Sequence, residues 1–368
     1  MAVAILLTVV GASAFLVLPL LIGAAAEGLS LRGSQQGLLA FVLMAASAIS
    51  ALLAIFLVRK IHWVKLAYAA LLLMLAGDIA ALIVKDNFTL FLMAVTAISL
   101  GGGTVYSLAL TVLSDNRTPD RMFGYSIAAQ VSFQVLGLLF LPALIESGGL
   151  HKLFLFFIVV VCSGLAMSWL LPARGLEQKV NNPFSVFTQS KVMLALMGCL
   201  FFFFNVGCFW AFIERMGNAY GFAAQTIGNS LAAGVAAGIA GALAASWQGD
   251  RLGRLKPLLL SAIATVAAAL MLSVSREVAV YVAAVALYNF AWNYSLAYQY
   301  AVVASVDESG RGIAITPAFH AVGAAIGPGI AGLLISADNF IGVNALVAIS
   351  VIISFLFFIP PLGRLSNG

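Results

Sequence analysis

Residues 247–257 read WQGDRLGRLKP, and they set four charges, two glycines and a proline between long apolar runs. Such a stretch suits a Gly-rich phosphate-binding loop, a nucleic-acid-binding patch or a loop at the edge of a membrane. A dinucleotide-binding loop of the Rossmann type needs a β-strand before it. Here an apolar run of helical length precedes the stretch, so the phosphate reading is rejected.

Composition points to lipid as the solvent for most of the chain. Hydrophobic residues make up 63% of the 368 residues and charged residues only 8%, and the mean hydropathy is +1.11. A soluble domain is close to half apolar and about a quarter charged. We therefore expect membrane lipid, not nucleic acid, to surround the chain, even though its net charge is +5.

Twelve apolar runs have the length of a membrane-spanning helix, which needs roughly 20 residues. They cover about 2–25, 35–58, 63–84, 88–113, 122–145, 152–171, 191–215, 221–246, 257–275, 278–304, 312–336 and 339–360. The runs are about twice as long as barrel strands and do not alternate apolar with polar residues. The sequence thus predicts an all-α membrane protein with twelve transmembrane helices.

Basic residues predict the orientation, because they favour the cytoplasmic ends of spans. With a cytoplasmic N-terminus, thirteen basic residues lie inside and five lie outside or at an outer helix end. Both termini are then cytoplasmic, and we expect a multi-pass protein of the inner or plasma membrane. Arg251, Arg254 and Lys256 of the opening stretch follow this rule, so the nucleic-acid reading fails as well.

The longest connection, 172–190, divides the chain into two halves of six runs. We predict an N-terminal bundle over 1–171, a cytoplasmic linker over 172–190 and a C-terminal bundle over 191–368. An offset of 190 residues places Ser126 on Thr316 and Gln130 on His320. These matches, with the matching hydropathy, indicate a duplicated six-helix unit and hence two pseudo-symmetric bundles.

Two six-helix halves and the loop GDRLGRLK after the eighth run resemble the major facilitator superfamily. The equivalent first-half loop, VRKIHWVK at 58–65, lacks the glycines and the acid. The resemblance implies that helices 1, 4, 7 and 10 line a cavity and that helices 3, 6, 9 and 12 face lipid. It also implies a secondary active transporter, a symporter or antiporter that moves a small organic solute by alternating access.

The tenth run supplies most of the predicted substrate contacts. Its segment LYNFAWNYSLAYQY, residues 287–300, carries amides and aromatic rings over three turns. Rings give contact area and amides fix orientation, as an organic ligand requires. The alternatives are an interfacial belt of Tyr and Trp, and hydrogen bonds between helices. The predicted substrate-binding residues are Gln130, Trp210, Asn289, Trp292, Asn293 and His320.

Protons are the predicted coupling ions, on the basis of Glu214 and His320. A histidine changes charge near neutral pH, and a carboxylate within a span can titrate with transport. Glu214 has an alternative role in the outer headgroup region, paired with Arg32 or Lys152. Asp78 is the other acid inside a run, but the resemblance makes its helix peripheral, which disfavours a coupling role.

Glycines in two runs predict close helix packing. Gly234 and Gly238 are spaced as G-x-x-x-G in the eighth run, and Gly323 and Gly327 repeat that spacing in the eleventh. Small residues let helix backbones approach closely in lipid, where no hydrophobic effect drives association.

The resemblance also implies a gate. An acid in the signature loop latches onto the start of a helix in the other half, here around residues 122–125. Basic Arg59 replaces the acid in the first half, and acids stand at the start of the eleventh run, so we predict a second latch with exchanged charges. The predicted gating residues are Asp250, Arg251, Arg254, Arg59, Asp307 and Glu308.

Other classes receive little support from the sequence. The three cysteines lie in apolar runs and the three histidines are scattered, so we expect neither a metal nor another cofactor. No P-loop lysine motif and no catalytic set occur, so we do not expect an enzyme. We expect a monomer. The remaining alternatives are proton-driven efflux of amphipathic compounds, which the absence of an arginine in the fourth run disfavours, and a non-transporting sensor or scaffold.

Overall fold

A computed structural model describes residues 1–58, 61–84, 87–115, 119–174, 189–307, 311–336 and 339–362. These residues form helices and no β-strand, which confirms the all-α prediction. The helices are α1 Ala2–Leu16, α2 Leu18–Gly28, α3 Gly33–Val58, α4 Trp63–Ile83, α5 Phe88–Ser114, α6 Pro119–Met167, α7 Ser190–Ala219, α8 Ala224–Gln248, α9 Leu255–Val274, α10 Val278–Val306, α11 Arg311–Leu333 and α12 Ile341–Leu362.

Length and composition identify a multi-pass membrane protein. In the described parts of the chain, eight helices are long and apolar enough to cross a membrane, or nine if the bent pair of α1 and α2 counts as one span. Neither α10 nor α11 is among them. Each of the twelve predicted runs falls on a helix. The number of spans and the cytoplasmic placement of both termini stay predictions.

The first predicted run is broken into α1 and α2, which meet at an angle of 48°. Val17 separates the two helices, and Pro19 stands in the first turn of α2. Proline has no N–H and its ring crowds the preceding turn, so the helix bends where proline interrupts it. The amide of Gln134 donates a hydrogen bond of 3.1 Å to the Leu16 carbonyl, which gives a backbone group at the break a partner.

The fifth and sixth runs instead form one long helix, α6, with two arms. Non-helical backbone occurs at Gly148 and Gly149, and Gly149 has φ 61°. Only glycine adopts this left-handed conformation without a steric penalty. The helix is therefore interrupted by a kink at these two residues, and no longer loop separates the arms.

The chain forms two compact units, Met1–Lys179 and Val180–Gly368. Most of the predicted linker, 175–188, lies outside the described residues. In the first unit α5 packs against three other helices through consecutive glycines. A Cβ added at Gly101 would meet Ala70 of α4, one at Gly102 would meet Gly11 of α1, and one at Gly103 would meet Ser47 of α3. Successive residues of a helix project about 100° apart, so three adjacent glycines can each face a different neighbouring helix.

Glycines also bring helices together in the second unit. A Cβ at Gly323 would stand 2.1 Å from the Leu200 carbonyl oxygen, and one at Gly327 would stand 2.3 Å from that of Phe204, so α11 lies directly on α7. Gly234 and Gly238 of α8 face α10 in the same way. All four glycines proposed for packing thus lie at close helix contacts.

The same pairs of helices pack in each unit. The helices of the second and fourth runs, α3 and α5, form a pair as α8 and α10 do, and α1 packs on α6 as α7 packs on α11. The offset of 190 residues recurs in these contacts. Gly137 faces Val17 in the first unit, and Gly327 lies beside Phe204 and Cys208, which flank the residue equivalent to Val17, in the second.

The contact between α7 and α11 gives a stability test. Replacing Gly323 by Ala should lower the free energy of unfolding by about 2 kcal/mol, since the new methyl group must push two backbones apart. Unfolding in mixed detergent micelles would measure the change. Val322→Ala, at an exposed neighbouring position, should stay within about 0.5 kcal/mol of the parent. Equal effects at both positions would contradict the close contact.

Candidate functional site

An aromatic cluster connects α7, α10 and α11 within the second unit. The His320 ring stacks on Phe203 with 3.8 Å between ring centroids, and Tyr300 meets His320 edge-on at 5.6 Å. Trp292 meets Phe203 at 6.3 Å and Trp210 at 6.5 Å. The five rings form a continuous set, and we call it the aromatic cluster.

Helical geometry explains why these rings meet. Phe203 and Trp210 are seven residues apart, so they lie on one face of α7 two turns from each other. The glycines of α11 lie against Leu200 and Phe204, and this close approach brings His320 onto Phe203. Trp292 reaches both α7 rings from α10. The cluster therefore depends on the packing of small residues around it.

Two polar atoms in the cluster have no hydrogen-bond partner. They are Nε2 of His320 and Nε1 of Trp292, and both atoms are buried. The His320 side chain is only 6% exposed. An unmatched buried polar group costs about 1–3 kcal/mol, so such atoms call for a specific explanation. The indole N–H can donate to a ligand, and the imidazole nitrogen can donate or accept.

The structure places Asn289 and Asn293 away from the aromatic cluster. Their amides donate to carbonyls one turn earlier in α10, those of Val285 and Asn289. Both side chains lie against α8, opposite Gly234 and Gly238. Of the six predicted substrate contacts, Trp210, Trp292 and His320 come together, and the two asparagines contribute to the contact with α8 instead.

Gln130 belongs to a polar network in the first unit. Its amide donates to Ser126 Oγ at 3.1 Å, and that hydroxyl lies 2.8 Å from Thr8 Oγ1 of α1. The Gln130 side chain also interacts with Tyr106 of α5. Hydrogen bonds between helices, one alternative for this residue, are thus present. Gln130 keeps a half-buried surface beside them.

Glu214 lies one turn beyond Trp210 on the same face of α7. It is 8% exposed and close to Tyr281 of α10, with which it interacts electrostatically. The Tyr281 hydroxyl donates 2.8 Å to the carbonyl of Ile213. Lys152, one of its two suggested partners, donates to Ser147. A carboxylate therefore borders the aromatic cluster within the second unit.

Sequence reasoning missed Phe203 and the contact between Tyr288 and Asn205. The Tyr288 hydroxyl donates 2.8 Å to Asn205 Oδ1, and its ring stacks on Phe209 at 3.5 Å. Asn205 is fully buried, and its Nδ2 has no partner. Phe209 follows Asn205 by four residues, so both lie on one face of α7. This spacing could have suggested that one residue of α10 contacts both of them.

Comparison with known proteins shows which family and which solved structures the chain resembles. Residues 194–366 match the model of the Major Facilitator Superfamily. The nucleoside transporter NupG superposes with a TM-score of 0.80 over 100% of both chains at 11% identity. A D-xylose–proton symporter gives 0.79 over 97% of this chain and 96% of its own at 12% identity.

A bacterial homologue of the human lysosomal transporter Spinster gives a TM-score of 0.76 over 98% of this chain and 96% of its own, at 14% identity. No curated protein matches the sequence. Identities this low show a shared fold, and the family model adds the match in sequence. The resemblance to the major facilitator superfamily is confirmed.

The loop GDRLGR, residues 249–254, which resembles the superfamily's signature loop and is called the signature loop below, is anchored by α10. The Tyr294 hydroxyl donates to Gln248 Oε1 at 2.9 Å, and Gln248 Nε2 donates to the Tyr298 hydroxyl at 3.0 Å. That hydroxyl in turn donates to the Gly249 carbonyl. Gly249 and Gly253 have φ values of 55° and 67°, so only glycine fits both positions without strain.

The predicted gating residues are only partly described. Asp250 and Arg251 are exposed, Arg254 is half-buried, and the Arg251 guanidinium lies 5.4 Å from the Trp247 ring. Asp307 is 6% exposed at the end of α10. Arg59 and Glu308 lie outside the described residues. The latch with exchanged charges therefore stays a prediction.

Metal ligands do not gather in the described parts of the chain, where no three His, Cys, Asp or Glu side chains are placed to hold an ion. Cys199 and Cys208 are buried and Cys162 is exposed. Burial of the first two fits their interpretation as small hydrophobic residues.

The bond between Tyr288 and Asn205 gives a second stability test. Tyr288→Phe should lower the free energy of unfolding by about 1 kcal/mol, because the Asn205 amide loses its partner while buried. Adding Asn205→Leu should recover most of this loss, since no unmatched group then remains. Unfolding in mixed micelles for both single variants and the double variant completes the cycle. A double variant no more stable than Tyr288→Phe would argue against the bond.

Proposed function

We propose that the chain is a secondary active transporter that moves a small organic solute by alternating access, coupled to protons. The aromatic cluster carries the proposal, because rings from three helices surround buried polar atoms that lack partners within the protein. Similarity in fold to a nucleoside transporter and to a D-xylose–proton symporter supports it. A transport function would also explain the signature loop, whereas an enzymatic function would not.

The cluster favours a solute with a flat ring. Aromatic side chains attract ring faces and edges more strongly than their buried area alone accounts for. The indole N–H of Trp292 suits a carbonyl or hydroxyl acceptor on that solute, and His320 Nε2 can complete the contact. A nucleoside combines a flat base with such acceptors, whereas D-xylose has hydroxyls and no flat ring. Uridine is therefore the first solute to test.

Glu214 and His320 are the proposed proton-binding groups of the second unit. Both border the cluster, one through Trp210 and the other through Phe203. Protonation of His320 would place a cation among aromatic rings, and the faces of such rings attract cations. Protonation of Glu214 would remove a charge beside Trp210. A solute that contacts these rings would therefore bind with an affinity that depends on both protons.

The rest of the arrangement follows the superfamily pattern. We propose twelve spans in two six-helix bundles, with both termini in the cytoplasm and the chain in the cell membrane. A monomer suffices for this mechanism. The signature loop around Asp250 would act as a gate, with Arg251 and Arg254 fixing it at the cytoplasmic face. Substrate contacts from Gln130, Asn289 and Asn293 are retained as secondary proposals, because each side chain is already hydrogen-bonded within its unit.

Efflux of amphipathic compounds driven by protons is the second candidate. The aromatic cluster favours it as well, since large apolar ligands also stack on tryptophan. The direction of flux separates the two candidates, because efflux requires a proton gradient opposite in direction to solute movement. Proteoliposomes with an imposed gradient of either sign test both with one preparation.

Replacement of the cluster tryptophans tests the site. In proteoliposomes, Trp292→Ala and Trp210→Ala should each raise the KM for uridine about tenfold, which corresponds to about 1.4 kcal/mol of lost contact. Trp169→Ala, at an exposed position of the first unit (66% exposed), is the matched control and should leave KM unchanged. If the parent transports uridine and all three variants retain its KM, the cluster is not the solute site.

Proton coupling has its own test. An inward proton gradient should accelerate uridine entry into proteoliposomes formed with the parent, and Glu214→Gln combined with His320→Ala should reduce that acceleration. Thermal unfolding of the purified variant controls for loss of fold. A double variant whose acceleration equals that of the parent would show that these two groups do not couple protons to solute.

A further inference from the structure

Helix α4 has one buried and one exposed face, although the family pattern makes it peripheral. It packs against α5, α6 and the 3-10 turn Ser168–Leu170 in the first unit. Large apolar side chains cover the exposed face, which we expect to meet lipid: Leu72, Leu73, Ile79 and Ile83. The buried face carries the small residues Ala67, Ala70, Gly77 and Ala81, and Asp78 lies on it.

Asp78 is fully buried, at 0% exposure. Its neighbour Gly77 lies against Ala94 and Ile98 of α5, where an added Cβ would approach the Ala94 carbonyl oxygen to 2.7 Å. Leu71, which precedes Asp78 by seven residues and shares its face of α4, lies beside Gly164 of α6. The carboxyl group is therefore held between α4 and its neighbours and does not point to the exposed side.

Within the described parts of the chain, neither oxygen of Asp78 has a hydrogen-bond partner. Titratable groups with described side chains occur on α4 and on the helices packed against it, namely Lys65, Tyr68, Tyr106, Asp115, Tyr125, Glu146, His151, Lys152 and Cys162, whereas the side chains of Asp120 and Arg121 on α6 lie outside the described ones. None of them reaches Asp78 with a hydrogen bond: Tyr106 interacts with Gln130, Lys152 donates to Ser147, and His151 is exposed. Lys85 and Asp86, which follow α4, lie outside the described residues.

An ionised carboxylate without a partner is far more costly at this depth than a neutral acid. Asp78 therefore carries its proton in this conformation. Even the neutral acid leaves a donor and acceptors unmatched, so leucine or alanine would suit the packing better. A group that breaks the packing rules in this way is expected at a functional site.

We propose that Asp78 is a proton-binding site of the first unit, loaded in this conformation and unloaded at another step of the transport cycle proposed above. Unloading breaks the O–H bond of the carboxyl group, passes the proton to water and leaves a carboxylate, and reloading reverses this. The site is separate from Glu214 and His320, which lie in the second unit. It thus adds a proton-binding group to the half of the chain without the aromatic cluster.

Infrared spectroscopy of the purified protein in lipid nanodiscs tests the site without any solute. The parent should show the carbonyl band of protonated carboxylic acid at neutral pH, and Asp78→Asn in a Glu214→Gln background, which removes the other proposed acid, should lose it. Glu146→Gln makes the same chemical change at an exposed position of α6 and should keep the band. In deuterium oxide the band of the Glu214→Gln background should shift, because a site that unloads exchanges with water.

Transport of uridine supplies the second measurement. Asp78→Asn should reduce the number of protons moved per uridine in proteoliposomes, whereas Glu146→Gln should not. A carbonyl band of the Glu214→Gln background that Asp78→Asn leaves unchanged, a band of that background that does not shift in deuterium oxide, or an unchanged proton number would each overturn the proposal. If the parent moves no uridine, the proposed substrate fails, and the infrared result still decides whether Asp78 holds an exchangeable proton.

Discussion

Close approach of helix backbones is the constraint on which the other features of this structure depend. Lipid is as apolar as leucine, so the hydrophobic effect does not hold helices together in it, and van der Waals contact must do so. The glycines of α5 and α11 allow that contact, since any side chain at Gly103 or Gly323 would overlap a neighbouring carbonyl group. The aromatic cluster is a consequence, because His320 stacks on Phe203 only while α11 lies directly on α7.

Sequence reasoning could predict the class and the family because both depend on signals that are local in the chain. Apolar runs of spanning length gave the helices, and GDRLGR with its two glycines gave the superfamily. Two features of the helices were not predicted. Pro19 breaks the first run within the apolar segment, and Gly148 with Gly149 joins two runs without a loop. A hydropathy profile detects neither feature, because it measures polarity, whereas these residues change the direction of the backbone.

The candidate site was harder to predict, because it depends on which face of a helix meets which neighbour. The sequence analysis assigned Asn289, Trp292 and Asn293 of α10 to one substrate site. In the structure Trp292 turns to α7, whereas Asn289 and Asn293 turn to the glycines of α8. Asp78 shows the same limit. Its burial depends on the tight contact at Gly77, and the peripheral position of its helix concealed this.

Helix α10 is polar because its side chains contact several neighbouring segments. Tyr288 and Trp292 contact α7, the two asparagines contact α8, and Tyr294 and Tyr298 hold Gln248 and the carbonyl of Gly249. Each contact uses a side-chain hydrogen bond or a ring, so the helix loses the hydropathy of an ordinary span. Since Trp292 and Tyr298 lie on one helix less than two turns apart, a displacement of α10 moves the aromatic cluster and the signature loop together. If the chain is the transporter proposed above, this is a physical route by which contact with a solute would reach the loop that carries Asp250.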